Sequence, residues 1–245
     1  MSSAPTLPFA PLAPLAPASR VAILGAGLLG RLLAGSLARQ GHRVELFDAA
    51  SEDGDGAAAR VAAAMLAPLA ESAVTEPNVV AMGLYALERW PQLLATLPQP
   101  VYFQRNGTLI VWHRQDAPDA ARLQALLERN QRQVAGLPAL QVLDSAGVAH
   151  AEPALAQRFA HGLLLPGEGQ LDNRQLFRAL AQQLHSAGVH MHWHSPRQPS
   201  DFTPGEPGQP DWVLDCRGLG PPPQWQTLRG VRGEVIRLHP PRVTL

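Results

Sequence analysis

The 245-residue sequence predicts an α/β fold: a parallel sheet wound with helices, interrupted by an inserted segment with antiparallel strands. Two stretches predict it. In "VAILGAGLLGRLLAGSLARQGHRVELFD" (21–48) an apolar run tightens through three glycines into a helical pattern, and a second extended run ends on an acid. In "VYFQRNGTLIVWH" (101–113) two extended runs flank Asn106-Gly107, the signal of a hairpin. No segment repeats at a fixed period.

Each element has a local cause. Residues 21–24 are continuously apolar, as a buried parallel strand requires. Leu28 to Gln40 is a helix with its apolar stripe at Leu29, Leu32, Leu33, Leu37 and Ala38, and Gly41 ends it. Val44 and Leu46 mark the second strand. Residues 49–71 are small and alanine-rich, a helix or tight loop. Amphipathic helices follow over Met82–Leu94 and Asp116–Val134. Asp172 caps a helix that runs to Ser186 and is closed by Gly188, before the strand "VHMHWH". Residues 195–210 are loop, and "DWVLD" (211–215) and "GEVIRLH" (233–239) are strands.

Composition narrows the function. Formal charge is zero with no basic block, so neither nucleic acid nor a membrane surface is an expected partner. No apolar run approaches the roughly 18 residues that span a bilayer. A single cysteine, Cys216, excludes an internal disulfide and suits the cytoplasm. All twenty basic residues are arginine, which removes a lysine Schiff base and the P-loop lysine. Residues 1–19 carry proline at 5, 8, 11, 14 and 17, and read as a disordered tail rather than a secretory signal.

Gly25, Gly27 and Gly30 satisfy G-x-G-x-x-G between a strand and a helix. The first makes the tight turn, the second admits a pyrophosphate to the backbone, and the third lets helix and strand pack closely. Phosphates would meet the unpaired amides of the helix start around Ala26, Leu28 and Leu29. Asp48, eighteen residues after Gly30, stands where a carboxylate accepts from ribose hydroxyls and repels a 2′-phosphate. This motif alone leaves NAD and FAD open. The methyl-lined segment "ARVAAAMLAPLAE" (59–71) could lie against a flat ring or form an ordinary alanine-rich helix.

Taken together the motifs resemble the D-amino-acid oxidase family of FAD-dependent oxidoreductases, and its bacterial glycine oxidases of thiamine synthesis in particular. Gly25-x-Gly27-x-x-Gly30-x₃-Ala34-x₂-Leu37-Ala38-x₂-Gly41-x₂-Val44-x-Leu46-x-Asp48 is similar to the family's flavin fingerprint. "AAAMLAP" (62–68) resembles its Ala-Ala-Gly-Met-Leu segment, "RNGTLIV" (105–111) its first substrate-domain strands, and "GQLDNRQLFRAL" (169–180) its Gly-x-Val-Asp-Pro-x-x-Leu stretch. "VLDCRGLG" (213–220) is similar to its second glycine loop, and "VRGEVIRL" (231–238) to the strand returning to the substrate domain. Ala64 stands where the family has glycine, so its backbone is expected to manage without positive φ. Ala59 replaces a phosphate-contacting serine.

The resemblance implies a Rossmann-like FAD-binding domain (20–75 and 155–227) and an inserted α+β substrate domain on an antiparallel sheet (76–154 and 228–245), incomplete at its C-terminus. It implies FAD contacts from Gly25, Ala26, Gly27, Leu28, Leu29, Gly30, Asp48, Arg60, Ala62, Ala63, Ala64, Met65, Leu66 and Gly218. The implied reaction passes hydride from a small amino acid or amine to flavin, with O2 as acceptor and H2O2 as product. The arginine that clamps the substrate carboxylate is expected beyond Leu245, so no catalytic residue is assigned. Activity of the chain and a homo-oligomer are both open. The alternatives are a non-catalytic remnant of the fold and a nicotinamide-dependent dehydrogenase.

Other conspicuous residues have simpler readings. His190, His192 and His194 alternate on a strand without a carboxylate to complete a metal site, so no metal is expected. Cys216 has no base to make it a nucleophile. Trp112, Trp193 and Trp212 read as packing residues in strands, and Glu234 as structural.

Overall fold

The computed structural model describes residues 14–219, 230–231 and 233–235. The chain opens as its periodicity dictates: β1 (Arg20–Leu24), α1 (Leu28–Arg39) and β2 (Arg43–Phe47) form a β-α-β unit. A connection of small residues follows, containing α2 (Ala58–Val61), β3 (Met65–Leu66) and α3 (Pro68–Glu71). Next come α4 (Pro77–Leu94), β4 (Phe103–Gln104), β5 (Thr108–Val111), α5 (Ala117–Gln133), β6 (Gln141–Asp144) and α6 (Ser145–Ala151). The chain then returns through β7 (His161–Leu165), β8 (Gly169–Leu171), α7 (Asn173–Ser186), β9 (His190–His192) and β10 (Trp212–Asp215).

Among the described residues a parallel sheet has the order β10-β1-β2-β9, and two antiparallel sheets have the orders β3-β8-β4 and β5-β7-β6. Helices α1 and α7 share one face of the parallel sheet. Ala34, Leu37 and Leu184 close there over Val21, Ile23, Val44 and Leu46. The other face is lined by Ala22, Leu24 and Phe47 under Phe202 of the 195–210 loop. Asp172 caps α7 as predicted, accepting from the Gln175 amide at 2.8 Å, and Gly188 turns the chain at φ +72°. Leu15 packs against the first core and Ser19 is buried, so the end of the proline-rich stretch belongs to the folded unit. Residues 1–13 of the expected tail lie outside the described residues.

Four expectations change. Asn106-Gly107 does not close a hairpin: β4 pairs with β8 and β5 with β7. Residues 103–111 run antiparallel to 162–171 as one ladder with a break. Pairing goes from Gln104↔Gln170 to Thr108↔Leu165, so three residues oppose four. Gly107, at φ +100°, serves as a kink there, because a Cβ would lie 2.9 Å from the Leu165 carbonyl oxygen.

The buried face of α1 is Gly30, Arg31, Ala34, Gly35 and Leu37; of the predicted stripe Leu37 is buried, Leu32, Leu33 and Ala38 pack half-buried against the cores, and Leu29 is exposed. Helix α7 lies so close that a Cβ on Gly35 would meet the Gln183 side chain at 3.3 Å and Leu184 at 3.6 Å. Small residues on the inner face make room for this approach.

The expected strand 233–239 is irregular over 233–235, and 236–239 lie outside the described residues. Trp112 and Trp193 sit just beyond β5 and β9 rather than within them. Among the described residues no helix is long and apolar enough to cross a membrane.

Candidate functional site

The carboxyl ends of β1, β2 and β10 converge on two glycine loops, at the point where strand order reverses. The loops pack against each other: a Cβ on Gly25 would lie 2.6 Å from the Cys216 carbonyl oxygen. Gly25 adopts φ +98°, which supplies the turn. A Cβ on Gly30 would lie 1.9 Å from the Gly25 carbonyl oxygen, so helix and strand touch backbone to backbone. Above Gly27 there is open space, and a Cβ at that position would have no neighbour within 4 Å. Gly27 is also the N-cap of α1 and carries no side-chain cap, and no acid stands in the first turn. The helix start therefore presents unpaired amides to that space. Gly218, at φ +66°, completes the second loop.

Beside the loops is a cleft of about 260 Å³ lined by Gly25, Phe47, Asp48, Arg197 and Arg217. The Asp48 carboxylate lines it but is already engaged: Oδ2 accepts from the Ala26 amide at 2.5 Å and Oδ1 from the Ala50 amide at 2.7 Å. It thus ties the first glycine loop to the turn after β2. Each oxygen keeps a second lone pair for a hydroxyl in the cleft. Arg217 is held by Asp215 at 2.6 Å, and Arg197 lies over the Phe47 ring, 5.7 Å from its centroid.

Burial and the neighbouring Asp215 raise the Cys216 thiol, the opposite of an activated nucleophile. His192 stacks on Phe47 at 4.4 Å, while His194 has left β9 at φ +53°, so the three histidines do not share a strand face.

The alanine-rich segment forms a ribbon alongside α1. Ala64 and Leu66 pack with Leu28 over Leu171, Leu176 and Leu180. Val61, Ala62, Ala63 and Met65 are exposed, so the ribbon offers an apolar shelf beside the helix start. Arg60 pairs with Asp55 at 3.0 Å. Ala64 corrects the expectation that its backbone would avoid positive φ: it sits at φ +58°. Its carbonyl accepts from the Leu171 amide at 3.3 Å, and β3 follows at once.

A left-handed alanine costs about 1–2 kcal/mol, and the extra unfolded-state freedom of glycine gives back about 0.4–1 kcal/mol. Ala64→Gly is therefore expected to stabilise the fold by about 0.5–1 kcal/mol, read as a thermal midpoint about 2 °C higher. A lower midpoint contradicts the strain.

Three buried polar residues organise these parts, and sequence reasoning passes over all of them. Arg31 on α1 donates to the Ala26, Phe177 and Glu52 carbonyls at 2.8, 3.0 and 2.6 Å. It joins the glycine loop, α7 and the turn after β2. Glu168 accepts from the Leu69 and Ala70 amides at 2.8 and 2.9 Å, at the start of α3. Asn173 donates to the Ala59 and Ala62 carbonyls at 2.5 and 2.8 Å. A signal for Arg31 exists: it falls in the period of small residues Gly30, Ala34 and Gly35.

The DAO family model, described as FAD dependent oxidoreductase, matches residues 20–245. The chain belongs to this family. The nicotinamide alternative falls with that. The chain is 33% identical, over 92% of its length, to a protein of Rhizobium etli named as a thiamine biosynthesis oxidoreductase, ThiO. Among solved structures it is similar to glycine oxidase from Geobacillus kaustophilus, with TM-score 0.66, 26% identity and 82% of this chain covered. Glycine oxidase from Bacillus cereus shares the fold at TM-score 0.62, with 20% identity over 76% of this chain. The chain spans 62% of the curated relative, 56% of the Geobacillus protein and 50% of the Bacillus one.

Proposed function

We propose that the chain binds FAD and serves the oxidation of a C–N bond in glycine or another small amino acid or amine, with O2 as acceptor and H2O2 as product. The supporting observation is the apolar shelf Val61–Met65 beside an uncapped helix start with open space over Gly27. A cofactor made of a diphosphate and a flat ring system needs both features. When bound, FAD supplies the two-electron acceptor.

The chain's own residues hold and orient it. Amides of Leu28, Leu29 and Gly30 face the diphosphate beside Ala26, whose own amide is held by Asp48, and Asp48 accepts from the ribose with its remaining lone pairs. Gly218 keeps the second loop clear of the cofactor, and Ala62, Ala63, Ala64, Met65 and Leu66 carry the ring. Arg60 takes a phosphate only by leaving Asp55. Residues 20–75 and 155–227 are assigned to the cofactor-binding unit and 76–154 with 228–245 to the substrate unit, with β7 of the first lying in the sheet of β5 and β6. The ThiO relationship favours a thiamine-precursor context.

The test begins with the purified chain and added FAD. A flavin spectrum that survives desalting is expected, and a colourless protein overturns the reading. Release of peroxide on adding glycine, sarcosine or a D-amino acid separates an oxidase from a non-catalytic binder.

Gly27→Ala isolates the diphosphate contact. Gly27 has φ −64° and ψ −174°, open to any residue, and the new methyl meets no protein atom within 4 Å. Stability should stay within about 0.5 kcal/mol while FAD affinity falls about tenfold. Equal affinity by fluorescence titration places the diphosphate elsewhere.

A further inference from the structure

The ribbon that would carry the flavin has little to hold it by itself. Its side chains between Val61 and Met65 are small or exposed, and Ala64 is in a conformation that alanine resists. Its shape is imposed from the stretch 168–173. Glu168 holds the Leu69 and Ala70 amides, Gly169 and Gln170 pair with Leu66 and Met65, and the Leu171 amide reaches the Ala64 carbonyl. Asn173 completes the set. At the first position of α7, 3% exposed, it spends both amide hydrogens on the Ala59 and Ala62 carbonyls, on either side of Arg60 and Val61.

We propose that Asn173 is a positioning residue for the flavin: its carboxamide fixes the exit of α2 and thereby holds the Ala62–Met65 shelf, with its left-handed Ala64, in the form that receives the ring. This rests on the FAD reading above. Without that carboxamide the ribbon must be ordered at the moment of binding, and that ordering is subtracted from affinity.

The chain contains its own reporter, because trypsin cleaves after Arg60, inside the clamped turn. Local opening sets the rate of such cleavage when reclosing is fast. The experiment compares the unaltered full-length chain, Asn173→Ala, Asn173→Asp and Val148→Ala, a buried α6 residue that serves as a control for general destabilisation. Cleavage after Arg60 is followed by mass spectrometry without FAD, and FAD affinity by flavin fluorescence.

Asn173→Ala and Asn173→Asp are expected to raise Arg60 cleavage about tenfold and to weaken FAD about tenfold. The control should lower the thermal midpoint while leaving FAD affinity within about twofold. Unchanged cleavage at Arg60 overturns the clamp. Faster cleavage with unchanged FAD affinity overturns its role for the flavin while leaving the FAD reading intact. An unaltered chain that binds no FAD overturns that reading, and this assignment with it.

Discussion

Arg31→Ala is expected to lower stability by about 4 kcal/mol. The guanidinium is fully buried, and its three hydrogen bonds go to backbone carbonyls of three separate segments. Phe177 and Trp193 cover its faces at 4.7 and 5.3 Å. Truncation strands three carbonyls, at about 1 kcal/mol or more each, and opens a cavity between two rings. One term opposes this. Burial strips the cation of water and lowers its pKa to about 10, against the pull of Asp48, Glu52 and Asp53, so removing it recovers some desolvation energy.

The balance still favours arginine, because only a planar fork reaches all three carbonyls. Arg31→Lys should therefore recover less than half of the loss. Urea unfolding checks both variants. A loss under about 1 kcal/mol for Arg31→Ala would show that the three segments hold together without it.

What the sequence discloses is what local physics controls. The β1–α1–β2 unit is legible because a buried parallel strand is continuously apolar and a tight turn needs Gly25. Asp172 is legible as a cap because its carboxylate serves an amide three residues away. The Asn106-Gly107 turn misleads because a turn dipeptide specifies a bend, not the strand's partner. That partner lies some sixty residues downstream, in β7 and β8. Strand β3 spans only two residues, too few for an alternation to register.

The site is legible in its glycines and its alanines but not in what holds them. Glycine roles follow from backbone geometry, and the spacing carries that geometry. Arg31, Glu168 and Asn173 look like ordinary polar residues, since their partners are carbonyls and amides that every residue possesses. Only the fold shows which ones they reach. Ala64 misleads for the same reason. Its φ of +58° is imposed by the Leu171 amide and by β3 pairing with β8, contacts about a hundred residues apart in sequence.

Glu168→Ala is expected to cost about 3 kcal/mol, and Glu168→Gln to cost little and to gain with pH. The carboxyl, 2% exposed, holds the first amides of α3 from 98 and 99 residues away. Alanine leaves both amides unsatisfied, that of Leu69 buried and that of Ala70 partly so, at about 1–3 kcal/mol each, less what a shift of α3 recovers. Glutamine keeps an oxygen for them.

The pH response separates charge from shape. Burial raises the Glu168 carboxyl above its ordinary value and nearby Glu71 adds to the rise, while bonds from Thr108, Ala70 and Leu69 pull the other way. With the folded value raised, this group's contribution is complete below the unfolded carboxylate pKa and is lost as pH climbs through the folded value. Unfolding between about pH 4 and about pH 8 should show the glutamine variant gaining on the unaltered chain as pH rises. A constant gap between them would mean that the buried carboxyl titrates like a free one.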